Sequence, residues 1–226
     1  MKRLLFIIII LVLLVVVVGS AKQSTTAQDG DEIGQIYFIG QHHVTDWFVW
    51  IDVYNEVQSI RDGFGNPADG NEVYRNADFP NYIMAVEPYP DAESAYGFIA
   101  SPDLREAMLR ATADSPPRLY VNEVVEAQTP GAGATTLIVE QVVGDHDVWR
   151  ASFEAMEAVR ANGEATGYRV MVDVSYEQHI TVLLDFDTVE NAILFQASDA
   201  YASFLGQDSF IAPPITLTMN RWHPAE

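Results

Sequence analysis

The sequence predicts an α+β chain made of two tandem βαββαβ units behind an N-terminal hydrophobic segment. Two observations carry this: the second half of the body repeats the first, and each half alternates strand-like and helix-like stretches in one order. Val44, Asp46, Val49 and Trp50 recur as Val143, Asp145, Val148 and Trp149, at an offset of 99 residues. Glu93, Ala95, Phe98, Ala100 and Ser101 recur as Glu190, Ala192, Phe195, Ala197 and Ser198, now at an offset of 97, and Pro116-Pro117 recurs as Pro213-Pro214 at the same offset. Three clusters in one order mark an internal duplication.

The elements of the first unit follow from local pattern. Residues 36–44 read as a strand. Asp46 can cap a helix that carries Trp50, Tyr54 and Val57 at helical spacing. A Gly/Asn/Asp/Pro stretch at 62–70 ends it. Strands follow near 72–75 and 82–87. Asp91 opens a second helical region, interrupted at Ser101-Pro102 and resumed to about residue 113, and a strand over 118–125 closes the unit. The second unit repeats this with a strand at 135–143, a helix at 145–161, a hairpin of 168–174 and 179–186, a helix at 188–197 continuing towards 205, and a last strand at 215–222. The domain plan is therefore 1–21 signal or anchor, 22–34 acidic tether, 35–126 first repeat, 127–134 linker and 135–226 second repeat.

That element order is the ferredoxin-like arrangement, four antiparallel strands with two helices on one face. The uncovered sheet face is too apolar for water and must meet another layer. A duplicated chain carries its own partner, so the two sheets are expected to pack face to face, or to close a shared barrel, within a monomer.

Lys2 and Arg3 precede an unbroken apolar run at 4–18, followed by Gly19, Ser20 and Ala21. A positive start, an apolar core and a small-x-small exit make an export signal. The run also approaches the length of a membrane span, so an uncleaved anchor is the alternative. A buried element of the fold is a third reading. Signal and anchor both place the body outside the cytoplasmic membrane, periplasmic or secreted. Without residues 1–21 the formal charge steepens from −20 to −22 and one lysine, Lys22, remains. That excess excludes a nucleic-acid partner, since phosphate binding needs Lys and Arg. It resembles salt-adapted proteins, whose self-repulsion high salt screens. An acidic protein of ordinary habitat is the plainer reading. The absence of cysteine removes thiol nucleophiles, disulfides and cysteine-ligated metals.

The motifs V-x-D-x-x-V-W, E-x-A-x-x-F-x-A-S and Pro-Pro before a last strand resemble the dimeric α+β-barrel superfamily, most of all the small antibiotic-biosynthesis-monooxygenase (ABM) type domains. Residues 143–222 are the better match; the first copy departs by its glycine-rich insertion. The resemblance implies an intramolecular version of the dimeric barrel. Relatives include cofactor-free oxygenases of aromatic polyketides, haem-degrading enzymes, isomerases and members of no known activity. The oxygenase and haem-degrading types place Asn, Trp, His, Tyr or Arg in a pocket between sheet and helices, and no complete set is reproduced here. Members often carry a histidine two residues before the Val of V-x-D; here it is His42, whereas the second copy has Gln141.

His42 and His43 are strand neighbours whose side chains point to opposite faces. His42 shares its face with Phe38 and Val44, the more enclosed side, and a histidine tuned near neutrality suits proton abstraction. In the second copy Arg169, His179 and Asn220 lie on the polar faces of their strands. Should they converge, Arg169 would hold an anionic or enolate oxygen, His179 would move a proton and Asn220 would orient a carbonyl or dioxygen. His42, His179, Arg169 and Asn220 are thus the candidate catalytic residues. Trp50 and Trp149 read as anchors of helix to sheet, with substrate stacking as the alternative. No nucleotide, metalloprotease or hydrolase motif is present, and no cofactor or metal is expected. The sequence points to an exported or membrane-anchored ABM-like protein that binds a small apolar or aromatic ligand. The alternative is a cofactor-independent monooxygenase acting on an aromatic or enolisable small molecule.

Overall fold

The computed structural model describes residues 32–128 and 133–223. The expected signal or anchor, most of the acidic tether and the middle of the inter-repeat linker lie outside the described residues. In the first repeat β1 (Ile36–His43) leads to α1 (Trp47–Glu56) and α2 (Gln58–Gly63), then β2 (Glu72–Asn76), β3 (Tyr82–Tyr89), α3 (Ala92–Ala100), α4 (Pro102–Arg110) and β4 (Arg118–Gln128). The second repeats it as β5 (Thr135–Val142), α5 (His146–Ala155), α6 (Glu157–Asn162), β6 (Ala165–Asp173), β7 (Tyr176–Phe186), α7 (Val189–Gln196), α8 (Asp199–Leu205) and β8 (Ile215–Trp222).

The capping expectations hold. Asp46 and Asp145 each accept two backbone N–H groups of their helices; Ser101 and Ser198, which the sequence had not singled out as caps, also cap α4 and α8. Each expected long first helix is broken, at Val57 and at Met156. Beyond each break an arginine folds back: Arg61 donates to the Tyr54 carbonyl and Arg160 to that of Phe153, with each guanidinium 4.0 Å from the ring of that residue.

The eight strands form one closed antiparallel barrel in the order β1-β3-β2-β8-β5-β7-β6-β4, which returns to β1. Of the two arrangements the sequence left open, the barrel is the one formed. A lone unit would expose β2 and β4 as edges; pairing β2 with β8 and β4 with β6 satisfies both. The second junction extends β4 through Ala127 and Gln128, opposite Arg169 and Tyr168, where linker was expected. The register also fixes the residue equivalences. Ile36 faces Tyr89 as Thr135 faces Phe186, and Val73 faces Ala85 as Val170 faces Val182. Offsets of 99 before the second strand and 97 from it onward therefore hold in space as well as in sequence.

Alternation sends one face of every strand into the barrel and the other under the helices. Ile39, Tyr74, Met84, Val86, Val124, Ile138, Met171, Leu183 and Met219 fill the middle of the barrel. Polar side chains close both ends. Under the helices the repeats differ. The second has a single apolar cluster running from Trp149 and Phe153 to Phe195 and Phe204. The first has two clusters, one around Trp47 and Trp50 and one around Phe38 and Phe98.

Candidate functional site

The gap between the two clusters of the first repeat is a narrow cavity of about 70 Å³ between the sheet and α1, α2, α3 and α4. His42 and Trp50 line one part of it, and Tyr54, Arg61 and Glu87 another. Leu104, Met108, Pro117 and Leu119, all partly or well exposed, connect it with solvent.

His42 is held by α1. The Trp50 indole Nε1 donates to His42 Nε2 at 2.8 Å. An imidazole that accepts at Nε2 is neutral and carries its proton on Nδ1. That Nδ1 is buried without a hydrogen-bond partner. Burial drives the imidazole down to about 4, only partly opposed by Asp114, so it stays neutral at physiological pH. His42 is therefore a fixed hydrogen-bond donor at the cavity wall. The proton-abstracting role expected of it is not available while Trp50 occupies its lone pair. His43 points the other way, as expected, with Nδ1 2.9 Å from the exposed Asp114 carboxylate.

At the other part of the cavity Glu87, 2% exposed, has Oε1 3.6 Å from Arg61 Nη1 and accepts from the Tyr89 hydroxyl at 3.2 Å. Burial raises its pKa and Arg61 pulls it back. The Tyr54 hydroxyl is buried beside it without a well-formed hydrogen bond and is pushed up by burial.

The second repeat has spent the same space on packing. Gln141 takes the place of His42 and accepts the Trp149 indole at 2.8 Å. Leu184 stands for Glu87, Phe153 for Tyr54, Tyr201 for Leu104 and Phe204 for Ala107. The Phe204 ring packs 6.2 Å from Phe153 and 6.4 Å from Trp149. Arg160 keeps the fold-back role of Arg61 with Leu184 in place of the carboxylate. Glu87 is thus not demanded by the fold.

The structure does not bring Arg169, His179 and Asn220 together. Register runs Arg169–Leu183–Ile138–Leu217 around the barrel, so Leu217 shares the inner face with Arg169. Asn220, three residues further along β8, points outward to the helices and accepts from Thr135 Oγ1 at 3.2 Å. The polar outer face of β8 serves the helices: Thr216 meets Tyr201 and Thr218 meets Gln196. Arg169, 1% exposed, lies inside the barrel against Glu72. His179 is inside too, but four residues along β7 from the partner of Arg169. Its ring lies 4.6 Å from that of Tyr120 at a tilt of 42°, its Nδ1 is 3.9 Å from Asp173, and burial lowers its pKa.

Solved structures share this architecture. An anthrone oxidase-like protein superposes with a TM-score of 0.64 at 13% identity, over 85% of this chain and 93% of that one. A candidate monooxygenase from Fusobacterium nucleatum gives 0.57 at 10% identity, over 84% and 93%. Another from Lactobacillus acidophilus gives 0.55 at 11%, over 83% and 94%. What these proteins share with the chain is the fold, an eight-stranded antiparallel α+β barrel. No protein-family model and no curated protein matches the chain.

Sequence reasoning reached His42 and Trp50 but missed Glu87, Tyr54 and Arg61. The signal was available in the duplication itself: once the copies are aligned, a carboxylate at 87 stands against Leu184 and Ala107 against Phe204.

Proposed function

We propose that this chain is an ABM-like barrel protein, carried outside the cytoplasmic membrane, that binds a small apolar ligand in the cavity of its first repeat. The second repeat acts as its structural partner. The observation that carries this reading is the difference between the copies: one scaffold holds an apolar cavity with a buried neutral donor and a buried carboxylate in the first repeat, and a filled core in the second. Perturbed ionisable groups in a largely apolar recess are the usual marks of a binding site. The apolar wall favours a hydrocarbon body, and His42 Nδ1–H favours an acceptor such as a carbonyl oxygen on it. Export rests on Lys2, Arg3 and the apolar run after them, and fractionation of cells expressing the full chain tests it.

Binding is tested with two probes, xenon followed by NMR and cyclopentanone followed by tryptophan fluorescence. Both should perturb the wild type, and Ala107→Phe, which imitates Phe204, should abolish the response. A silent wild type, or an unchanged response in Ala107→Phe, overturns the reading.

A second reading, a cofactor-independent monooxygenase acting on an aromatic or enolisable small molecule, is favoured by one observation: Glu87 is a buried carboxylate in the cavity that the fold does not require. On this reading Glu87, not His42, takes the proton. Oxygen uptake with an enolisable aromatic ketone, lost in Glu87→Leu, would support it. No uptake across a panel of such ketones would remove it.

A further inference from the structure

The offsets that relate the repeats also relate residues that touch across the barrel. Gln41 and Glu140 are equivalent positions, 99 apart, and the Gln41 amide donates to Glu140 inside the barrel. Glu72 and Arg169 are equivalent positions, 97 apart, and Arg169 Nη2 lies 2.5 Å from Glu72 Oε2. Residues that meet their own equivalents lie on the pseudo-two-fold axis, so the axis runs along the barrel with one such pair towards each end. In a barrel made from two identical units, each of these residues would meet itself.

We infer that the two repeats are heterotypic partners by charge, each barrel edge accepting the other kind of repeat and rejecting its own. Two first repeats would place Glu72 on Glu72. Two second repeats would place Arg169 on Arg169 at one end and Glu140 on Glu140 at the other. The neighbouring ion pairs also cross from one repeat to the other, with opposite polarity at the two ends of the barrel. Arg118 of the first repeat reaches Glu140 of the second at 2.5 Å, and Arg221 of the second reaches Glu72 of the first at 3.2 Å. The equivalents of Arg118 and Arg221 are Ile215 and Val124, which supply no charge. Only the mixed pairing leaves every one of these charges faced by its opposite. Buried like charges are a strong device of partner selection. The partner this surface fits is therefore a repeat of the opposite kind. When linker chain connects them the partner is intramolecular. If the linker is cut, the same kind of repeat from a second copy serves equally well.

The test starts from the folded full chain carrying a protease site within residues 129–132. After cleavage the two fragments are unfolded, mixed in equal amounts, refolded and weighed by native mass spectrometry. The expected product is the one-to-one mixed pair, with like pairs below about a tenth of it, one decade corresponding to about 1.4 kcal/mol of preference. Like pairs in comparable amount overturn the inference. Because fragments can fail to refold, two intact-chain variants decide independently. Arg169→Glu sets Glu against Glu72 and should melt about 10 °C lower, whereas the neutral double variant Glu72→Gln/Arg169→Gln should lose less than half of that. An unchanged Arg169→Glu, or a double variant as damaged as the single one, overturns it.

Discussion

His42→Gln should remove a specific slice of acid sensitivity. In the wild type the imidazole is neutral in the folded chain down to about 4, against an unfolded value of 6.5. A base whose folded pKa is depressed contributes stability that is present above the unfolded value and is lost as pH falls to the folded one, because the unfolded chain takes up the proton first. Across that window the loss amounts to roughly 3 kcal/mol, at about 1.4 kcal/mol per pH unit. Glutamine is the replacement with a structural precedent, since Gln141 already accepts the Trp149 indole in the second repeat at 2.8 Å, the same length as the Trp50–His42 bond. At neutral pH the variant should lie within about 1 kcal/mol of wild type, both hydrogen-bond partners being kept. Urea unfolding of both proteins at several pH values between neutrality and pH 4, in constant high salt, measures the difference. The gap should open in favour of the variant on acidification, whatever the other titrating groups do, since they are common to both. Parallel stability curves over the whole window would refute a buried, neutral, indole-bound His42.

Three further outcomes follow from the same geometry. Glu87→Leu leaves the buried Arg61 guanidinium without its carboxylate and should cost about 3–5 kcal/mol, whereas Glu87→Leu/Arg61→Met, which removes the whole pair, should cost much less; calorimetry distinguishes them, and equal losses would mean that the ion pair is not what Glu87 contributes. Ala107→Phe should not destabilise the chain by the 1–3 kcal/mol typical of overpacking, because about 70 Å³ of cavity stands ready to receive the ring; a loss in that range by thermal melt would mean the space is not there. The charge of −20 predicts that the melting temperature rises between about 0.1 M and 1 M salt, as screening relieves self-repulsion; a flat response would place the protein with acidic proteins of ordinary habitat.

How much of the site was legible depends on the kind of interaction involved. Asp46 and Asp145 were readable because a cap bonds to backbone two or three residues away. His42 was placed on the enclosed face by strand alternation alone, a period-two argument that needs no neighbour. Asn220 was not legible, because its face depends on how β8 registers with β5, and one residue of register reverses every side chain. The proton on His42 was equally out of reach. It is fixed by an indole eight residues away, across a strand-to-helix turn whose geometry local pattern does not give. Glu87 lay between these cases, visible only once the two copies are laid over each other.

By itself the sequence determined the duplication, the βαββαβ order of each copy, the caps and the acidic surface, since each depends on short-range periodicity, composition or self-similarity. The tertiary structure decided that the two sheets close into one barrel, that opposite charges meet on its pseudo-axis, and that the first repeat keeps a cavity where the second is filled. Those three are settled by which edges pair and in which register, and by whether facing side chains sum to the available volume. These quantities exist only between segments far apart in the chain.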